Sequence, residues 1–150
     1  AVNNRPGQVS RAAAGIADLD LPAGYRAEFS ATVAGYTIAA FNPGDNHSHL
    51  YLIQSQDEAD GEKLAEMLAE LAPGAINTET RTTIIETRPV RVRDQDTTLV
   101  ISEGENSEGD AYRQAMMPFQ GKGGPALLVF SEPVTRWSPS TVDALLASIR

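Results

Sequence analysis

The chain contains no cysteine, and histidine occurs only twice, as His47 and His49. Without cysteine there is no disulfide bond, no thiolate zinc site and no cysteine nucleophile. A serine triad would depend on one of two histidines that lie in the same turn, and the sequence has no Gly-x-Ser-x-Gly motif. The sequence therefore predicts a protein without enzymatic activity and without a bound cofactor.

Long apolar runs and a basic surface are also missing. No stretch approaches the roughly 18 apolar residues that a membrane-spanning helix needs. Acidic residues outnumber basic ones by 20 to 12, for a formal net charge of −8, whereas nucleic acids and anionic lipids attract positive charge. We therefore expect no nucleic-acid partner and no direct membrane insertion of this domain. Another protein or a small ligand is the expected partner, and the sequence leaves the oligomeric state open.

What the sequence does contain is an ordinary globular composition, 41% hydrophobic and 21% charged, at the length of about one domain. Residues 1–15 are mostly small and polar without an apolar period, and predict a flexible N-terminal tether. Residues 16–150 are predicted to form a single domain. The chain begins with Ala rather than Met, and its first residues do not themselves contain the hydrophobic core of a signal peptide. We therefore expect that an upstream segment was processed and that the domain is located outside the cytoplasm.

Alternating apolar residues predict strands, and several of these strands are apolar on both faces. Tyr36–Phe41 and His49–Gln54 flank Asn42–Asn46, whose residue types favour a turn, so they predict a hairpin. Connections between the later strands are short, which favours antiparallel pairing. The other predicted strands are Ala17–Pro22, Thr82–Arg88, Val90–Arg93, Thr97–Glu103, Asp110–Phe119 and Pro125–Ser131.

Two amphipathic segments predict helices that cover the sheet. Gly61–Ala72 carries an apolar stripe at i, i+3, i+4 and i+7 and follows Asp60, a favourable N-cap. Pro139–Ile149 follows Ser138, a second favourable N-cap, and Trp137 lies at the spacing of a hydrophobic staple. Because strands that are apolar on both faces need cover on both, we predict an α+β fold of α/β/α type, an antiparallel sheet sandwiched between helices.

The C-terminal part of the sequence resembles the PsbP-like family, named for an extrinsic subunit of photosystem II. The resemblance rests on Gly109–Tyr112, the Gly-rich turn Gly121–Gly124, the strand Ala126–Phe130 and the closing Leu146–Arg150, and it covers residues 97–150. It implies an antiparallel sheet between helical layers. It also implies a non-catalytic accessory or binding role, often outside the cytoplasm, and it carries over no functional residue.

Asp45, His47 and His49 are a candidate metal site. Alternate residues of a strand share a face, so these three side chains could converge on Zn²⁺ or Cu²⁺. A hairpin tip holds ligands loosely, however, and a solvated turn explains the same residues. A metal-binding accessory protein is therefore the alternative to a binding domain without metal.

Two charged clusters are candidate contact surfaces. Glu103, Glu105, Glu108 and Asp110 form an acidic loop that could bind Ca²⁺ or a basic partner, although it lacks the spacing of an EF-hand and a solvated loop explains it. The basic cluster could hold a carboxylate or phosphate, or could pair with neighbouring acids such as Glu86 or Glu103 and keep an edge strand soluble. Its members are Arg88, Arg91 and Arg93.

The Gly121–Gly124 turn does not have the spacing of a phosphate-binding P-loop, because a proline and a strand follow its lysine. A hairpin turn explains it. Taken together, the residues predict a non-enzymatic binding or accessory domain of unknown ligand that works outside the cytoplasm. Its hairpin loop and its acidic loop are the expected contact surfaces.

Overall fold

The computed structural model describes residues 2–76 and 81–150. Within these residues, eight strands form one antiparallel sheet, and three short helices pack against it. The strands are β1 (Val2–Asn3), β2 (Arg26–Val33), β3 (Tyr36–Asn42), β4 (His49–Ser55), β5 (Thr83–Val92), β6 (Gln95–Glu105), β7 (Ala111–Gln120) and β8 (Pro125–Pro133). The helices are α1 (Pro6–Ala14), α2 (Gly61–Leu71) and α3 (Pro139–Ala147).

Two antiparallel meanders meet in the middle of the sheet. The strand order is β1-β2-β3-β4-β8-β7-β6-β5, and the predicted hairpin of β3 and β4 is confirmed. Two tight turns join neighbouring strands of the meanders. Ala34 and Gly35, between β2 and β3, have positive φ (50° and 85°), as do Arg93 and Asp94, between β5 and β6 (50° and 63°). Such two-residue turns match the twist of the strands that they join. The predicted antiparallel pairing of the later strands is confirmed as well.

Helices α1 and α3 cover one face of the central strands. Val9 and Ala13 of α1 lie in the same buried cluster as Val142 and Leu145 of α3. Ser138 takes the N-cap position of α3 without a side-chain capping hydrogen bond. The predicted C-terminal helix therefore buries Val142 and Leu145 against the sheet. It ends at Ala147 rather than at Ile149. On the sheet side this cluster contains Phe41, Leu50, Leu52, Met117, Leu128 and Phe130.

Helix α2 covers the opposite face. Leu64 and Leu68 are buried in one cluster with Ile53 and with other apolar residues of β3, β4 and β8. The Asp60 carboxylate accepts the main-chain N–H of Lys63 at 2.8 Å, which satisfies one of the free donors at the start of a helix. The predicted helix, its N-cap and its buried stripe are therefore confirmed.

The predicted α/β/α sandwich is wrong. The fold is mostly sheet, 44% strand against 20% helix. A helix of about ten residues is about 15 Å long, whereas eight neighbouring strands span about 34 Å, so three short helices cannot form continuous layers. At the edge strand β5, Ile84 and Ile85 are 63% and 46% exposed. What holds is the coarser prediction of an α+β protein with an antiparallel sheet.

The N-terminal residues differ from the predicted flexible tether. Residues 2–14 contain β1 and α1, and Val9 is fully buried. Helix α1 packs against β2 and β3, a tertiary contact that a stretch with so few apolar residues does not reveal. Ala17–Pro22 is not a strand either. Instead, Asp18 and Arg150 exchange two main-chain hydrogen bonds of 3.1 and 2.8 Å, which tie the two ends of the domain together.

Strand β5 is continuous where the sequence predicts two strands. Thr82–Arg88 and Val90–Arg93 merge through Pro89, which pairs with Thr98 of β6. Proline is tolerated here because β5 is the last strand in the sheet order, and an edge strand can lack a main-chain donor on its free side.

Candidate binding cleft

The face of the sheet that α2 covers changes from apolar to polar toward one end. Register aligns Tyr51 of β4 with Val129 of β8 and Met116 of β7, and these three side chains contribute to the cluster under α2. Successive side chains alternate between the two faces, so the next residues on this face lie two positions along each strand. The apolar row is therefore followed by a second row across the same three strands.

The second row is polar and consists of His49, Ser131 and Gln114. Gln114 is only 7% exposed, and its Nε2 donates to Ser131 Oγ at 3.0 Å and to the carbonyl oxygen of Ala75 at 3.3 Å. These two bonds use both amide hydrogens. None of the hydrogen bonds between described residues uses Oε1, whose orientation these two bonds fix.

A cleft of about 330 Å³ lies over this polar row. The β3–β4 turn contributes Asn46 and His47, the β6–β7 loop contributes Asn106 and Ser107, and the segment after α2 contributes residues 74–76. The volume lies at the lower end of the roughly 300–1,000 Å³ that is typical of ligand sites. The structure therefore brings the predicted hairpin loop and the predicted acidic loop to the same cleft.

Tyr112 also lines the cleft, and the position of its ring depends on a glycine. Gly104 is its register partner on β6, and a Cβ atom there would lie 3.1 Å from Tyr112 Oη and 3.3 Å from its Cε1. A side chain at position 104 would therefore displace the ring. Gly104 thus leaves the space in which the Tyr112 ring lies. On β8, the partner of Tyr112 is Pro133, which also lines the cleft.

His49 lies close to residues of two strands, Tyr51 of its own strand β4 and Glu28 of β2. Its ring stacks on Tyr51 with the centroids 5.5 Å apart, and its Nδ1 lies 3.9 Å from Glu28 Oε2 on β2. Burial, together with the negative charge of Glu28, raises the pKa of Tyr51 to about 12. Stacking on Tyr51 therefore orients the imidazole at the cleft wall, while His49 Nδ1 and Glu28 Oε2 do not hydrogen-bond to each other.

The structure does not bring Asp45, His47 and His49 together as a metal site. Asp45 Oδ1 accepts the main-chain N–H groups of His47 at 2.9 Å and Ser48 at 2.6 Å, and its Oδ2 accepts the Ser48 hydroxyl at 3.0 Å. Burial alone would raise the pKa of Asp45, but these hydrogen bonds and the charge of Arg136 lower it. The carboxylate is therefore occupied in stabilising the turn.

Strand alternation was the physical basis of the metal prediction, and it does not apply at this position. Residues 43–47 form bends rather than a strand, so Asp45 and His47 do not share a face with His49. Over residues 2–76 and 81–150, no three or more His, Cys, Asp or Glu side chains form a group that could hold a metal ion. The acidic loop is included in that range, so its Ca²⁺ interpretation has no support in the structure.

The acidic loop is organised by the side-chain amide of Asn106. Asn106 Oδ1 accepts the main-chain N–H groups of Glu108 and Asp110, both at 2.9 Å. Glu103 pairs with Arg113 of the neighbouring strand, with Oε1 and Nε 3.0 Å apart. Glu105 also interacts within the protein. The loop is a closed hairpin connection, and the described residues that it presents to the cleft are Asn106 and Ser107.

Arg88 bridges β5 and α3. Its Nη2 lies 2.6 Å from Asp143 Oδ1, and its Nε lies 3.0 Å from Glu86 Oε2. The hydrogen bond to Asp143, which is the largest cause, raises the pKa of Arg88. Of the acids expected as partners, Glu86 pairs with the basic cluster, whereas Glu103 does not pair with it.

Arg91 and Arg93 have separate partners near the β5–β6 turn. Arg91 Nη1 lies 3.0 Å from Asp96 Oδ1, and Arg93 Nη1 donates to the carbonyl oxygen of Gln120 at 2.8 Å. With Arg88 held by α3, the three guanidinium groups do not converge on one position. The structure thus favours pairing with neighbouring groups over an anion site for the basic cluster.

The Gly-rich turn between β7 and β8 connects three parts of the chain. The N–H of Gly123 donates to Gln54 Oε1 at 2.9 Å, and the N–H of Lys122 donates to the carbonyl oxygen of Ile16 at 2.8 Å. Lys122 Nζ also lies 3.0 Å from Asp18 Oδ1. The Lys122 side chain and the main-chain amides of this turn therefore bind other parts of the domain. A hairpin turn, as predicted, accounts for them.

Sequence reasoning missed the residues at the centre of the cleft. Gln114, Ser131 and Tyr112 lie within predicted strands, and we expected contact surfaces in loops. One signal was present: Gln114 interrupts the apolar side of a strand on which Met116 follows at i+2. A polar residue at a position where an apolar one would be buried is the kind of feature that marks a site.

A scan against protein-family models finds no match, and a search of curated proteins finds no similar sequence. Among the described residues, no helix is both long enough and apolar enough to cross a membrane. The resemblance to the PsbP-like family stays a prediction, and function has to be inferred from the cleft itself.

Proposed function

We propose that this protein is a non-enzymatic binding or accessory domain that holds a small ligand in the cleft between the β3–β4 turn and the β6–β7 loop. One observation carries the proposal: the two loops expected from sequence to form contact surfaces flank the same cleft, above a row of oriented polar side chains. Concave sites with a few convergent polar groups are the usual place for a small ligand.

The chemistry of the described lining favours binding over catalysis. It contains no Asp, Glu, Lys or Arg, so it offers no carboxylate pair for acid–base chemistry. Ser131 accepts a hydrogen bond from Gln114, and no hydrogen bond between described residues joins a lining serine to His47 or His49. The nucleophile and base arrangement of a hydrolase is therefore missing from this set.

A role outside the cytoplasm is part of the proposal, and the resemblance of residues 97–150 to PsbP-like chains supports it. Fractionation of cells that express the full-length gene product from its own gene provides the test. We expect the protein in the extracytoplasmic fraction, and recovery with cytoplasmic markers would contradict this part of the proposal.

Fragment screening by two-dimensional amide NMR tests the binding role. A chemically mixed set of small fragments is expected to shift amides of the cleft residues more often than amides elsewhere. Ser107→Trp places a large side chain at the rim of the cleft and should abolish these shifts. Ser10→Trp is the matched control, because Ser10 is an exposed serine on α1, which covers the other face of the sheet. Shifts that avoid the cleft, or that survive Ser107→Trp, would refute the proposal.

A further inference from the structure

We infer that the ligand of the cleft is a neutral saccharide of one or two rings. This inference rests on the proposed function and names the ligand class of the same site. Charge, hydrogen-bonding capacity and shape of the described lining each contribute to it.

The described lining offers no fixed charge to an ionic ligand. Asp, Glu, Lys and Arg are absent from it. Two nearby carboxylates are already used, since Asp45 accepts hydrogen bonds within its turn and Glu103 pairs with Arg113. A phosphate, carboxylate or ammonium group would lose water in the cleft without gaining a partner of opposite charge among the described lining residues, which is costly. A ligand without net charge avoids that cost.

The lining presents both acceptors and donors in fixed orientations. Gln114 is buried, both of its amide hydrogens are engaged, and no hydrogen bond between described residues uses its Oε1, which can accept from a ligand. Asn106 shows the reverse arrangement: its Oδ1 is engaged by two main-chain N–H groups, and no hydrogen bond between described residues uses its Nδ2, which can donate to a ligand. A sugar hydroxyl both donates and accepts, so adjacent hydroxyls can satisfy both side chains. Ser107 and Ser131 add hydroxyl groups to the same lining.

The position of the cleft disfavours an extended peptide. Strands β4, β8 and β7 each have a neighbour on both sides, so the cleft offers no free strand edge to which an extended peptide could add. Aliphatic groups of Ile76 and Pro133 also line the cleft and suit the C–H face of a sugar ring.

Calorimetry and saturation-transfer NMR on the full chain test the inference. The probes are neutral disaccharides of glucose and of N-acetylglucosamine. The comparators are a disaccharide that contains glucuronic acid, a nucleoside and a blocked tripeptide. We expect at least one neutral disaccharide to bind about tenfold or more tightly than every comparator, roughly the effect of one well-placed polar group. A comparator that binds as tightly as the best neutral disaccharide would overturn the inference.

Variants locate the binding. Gln114→Leu removes the Oε1 acceptor and should weaken disaccharide binding about tenfold. Ser107→Trp should abolish disaccharide binding, while Ser10→Trp should leave it unchanged. Thermal unfolding of each variant shows whether it is folded. If Gln114→Leu unfolds, Ser107→Trp decides alone, and binding that survives it overturns the inference. If fragments occupy the cleft but no neutral disaccharide binds, the ligand class is wrong and the proposed binding role stands. If neither binds, both fail.

Discussion

The hydroxyl of Tyr25 donates a hydrogen bond of 2.7 Å to Glu132 Oε2, and this contact links the segment before β2 to the end of β8. The same carboxylate oxygen accepts Arg136 Nε at 2.9 Å, and the Arg136 guanidinium carbon lies 5.8 Å from the centre of the Tyr25 ring. Glu132 is only 3% exposed. A buried carboxylate is tolerated when it is paired and hydrogen-bonded, so the three side chains form one unit.

Removal of the buried carboxylate should destabilise the fold clearly. We expect Glu132→Ala to lower the free energy of unfolding by about 2–3 kcal/mol, less than the loss of a fully buried ion pair, because Arg136 is 42% exposed. Urea denaturation measures the change. Glu103→Ala, which removes a carboxylate that is half exposed beside Arg113, is the matched control and should cost less than about 1 kcal/mol. Equal losses for the two variants would contradict the role of Glu132.

Stability at high pH should depend on two buried tyrosines. Burial and the hydrogen bond to Glu132 raise the pKa of Tyr25 far above its ordinary value, and the pKa of Tyr51 is raised to about 12. Because the raised pKa belongs to the folded state, the stabilisation is present below about pH 10, where the tyrosines of the unfolded chain ionise, and is lost as the pH rises through the folded values.

Denaturation of the wild type should therefore show a falling free energy of unfolding above about pH 10. The Tyr25→Phe, Tyr51→Phe double variant removes both ionisable groups, so its curve should be flatter in this range, although it is less stable at neutral pH. Unchanged steepness in the double variant would mean that these two hydroxyls do not cause the effect.

The Asp45 carboxylate should stabilise the β3–β4 turn. Asp45→Ala leaves two main-chain N–H groups without an acceptor and should cost about 1 kcal/mol, as for loss of a capping side chain. The pKa of Asp45 is lowered in the folded state, so this contribution is present above the ordinary value of about 4 and is lost as the pH falls below it.

His47→Ala is the matched control for Asp45→Ala, because it removes an exposed side chain and keeps the main-chain donor. It should change the free energy of unfolding by less than about 0.5 kcal/mol. Chemical denaturation at neutral and at acidic pH measures both variants, and the difference between them should shrink in acid. A larger loss for His47→Ala than for Asp45→Ala would show that the imidazole, not the carboxylate, stabilises the turn.

Gly124 should tolerate no side chain. It has a φ of 153°, and a Cβ atom would overlap the main-chain carbonyl of Ser55. We expect Gly124→Ala to cost about 3 kcal/mol or more, because strands of the central sheet would have to separate. Gly7→Ala, at a helical position with nothing within 4 Å of the added atom, should instead stabilise by about 0.5–1 kcal/mol. Thermal and chemical denaturation of the two variants should therefore change in opposite directions.

The parts of the fold that depend on neighbouring residues could be predicted from sequence. The hairpin of β3 and β4, the helix α2 with its Asp60 cap, and the β5–β8 meander all follow from residue periods and turn residues within a few positions. Helix α1 could not be predicted in this way. Its stability comes from burial of Val9 against the sheet, and a period of apolar residues hardly exists within so short a segment.

The candidate site shows the same division. Sequence reasoning located the two loops that flank the cleft, because turn residues and charge clusters are local features. It could not locate Gln114, Ser131 and His49 as neighbours, because they come from three strands that are far apart in the chain. Their alignment depends on the pairing of β4 with β8 and of β8 with β7.

The amino-acid sequence by itself determined the local elements, the acidic charge and the absence of cysteine chemistry, because these depend on residue type and on spacing along the chain. The tertiary structure alone decided that β8 lies beside β4, that the short helices leave Ile84 and Ile85 of β5 exposed, and that a polar row lies under a cleft. Those features depend on which strands share register and on how far a helix of about ten residues reaches across eight strands.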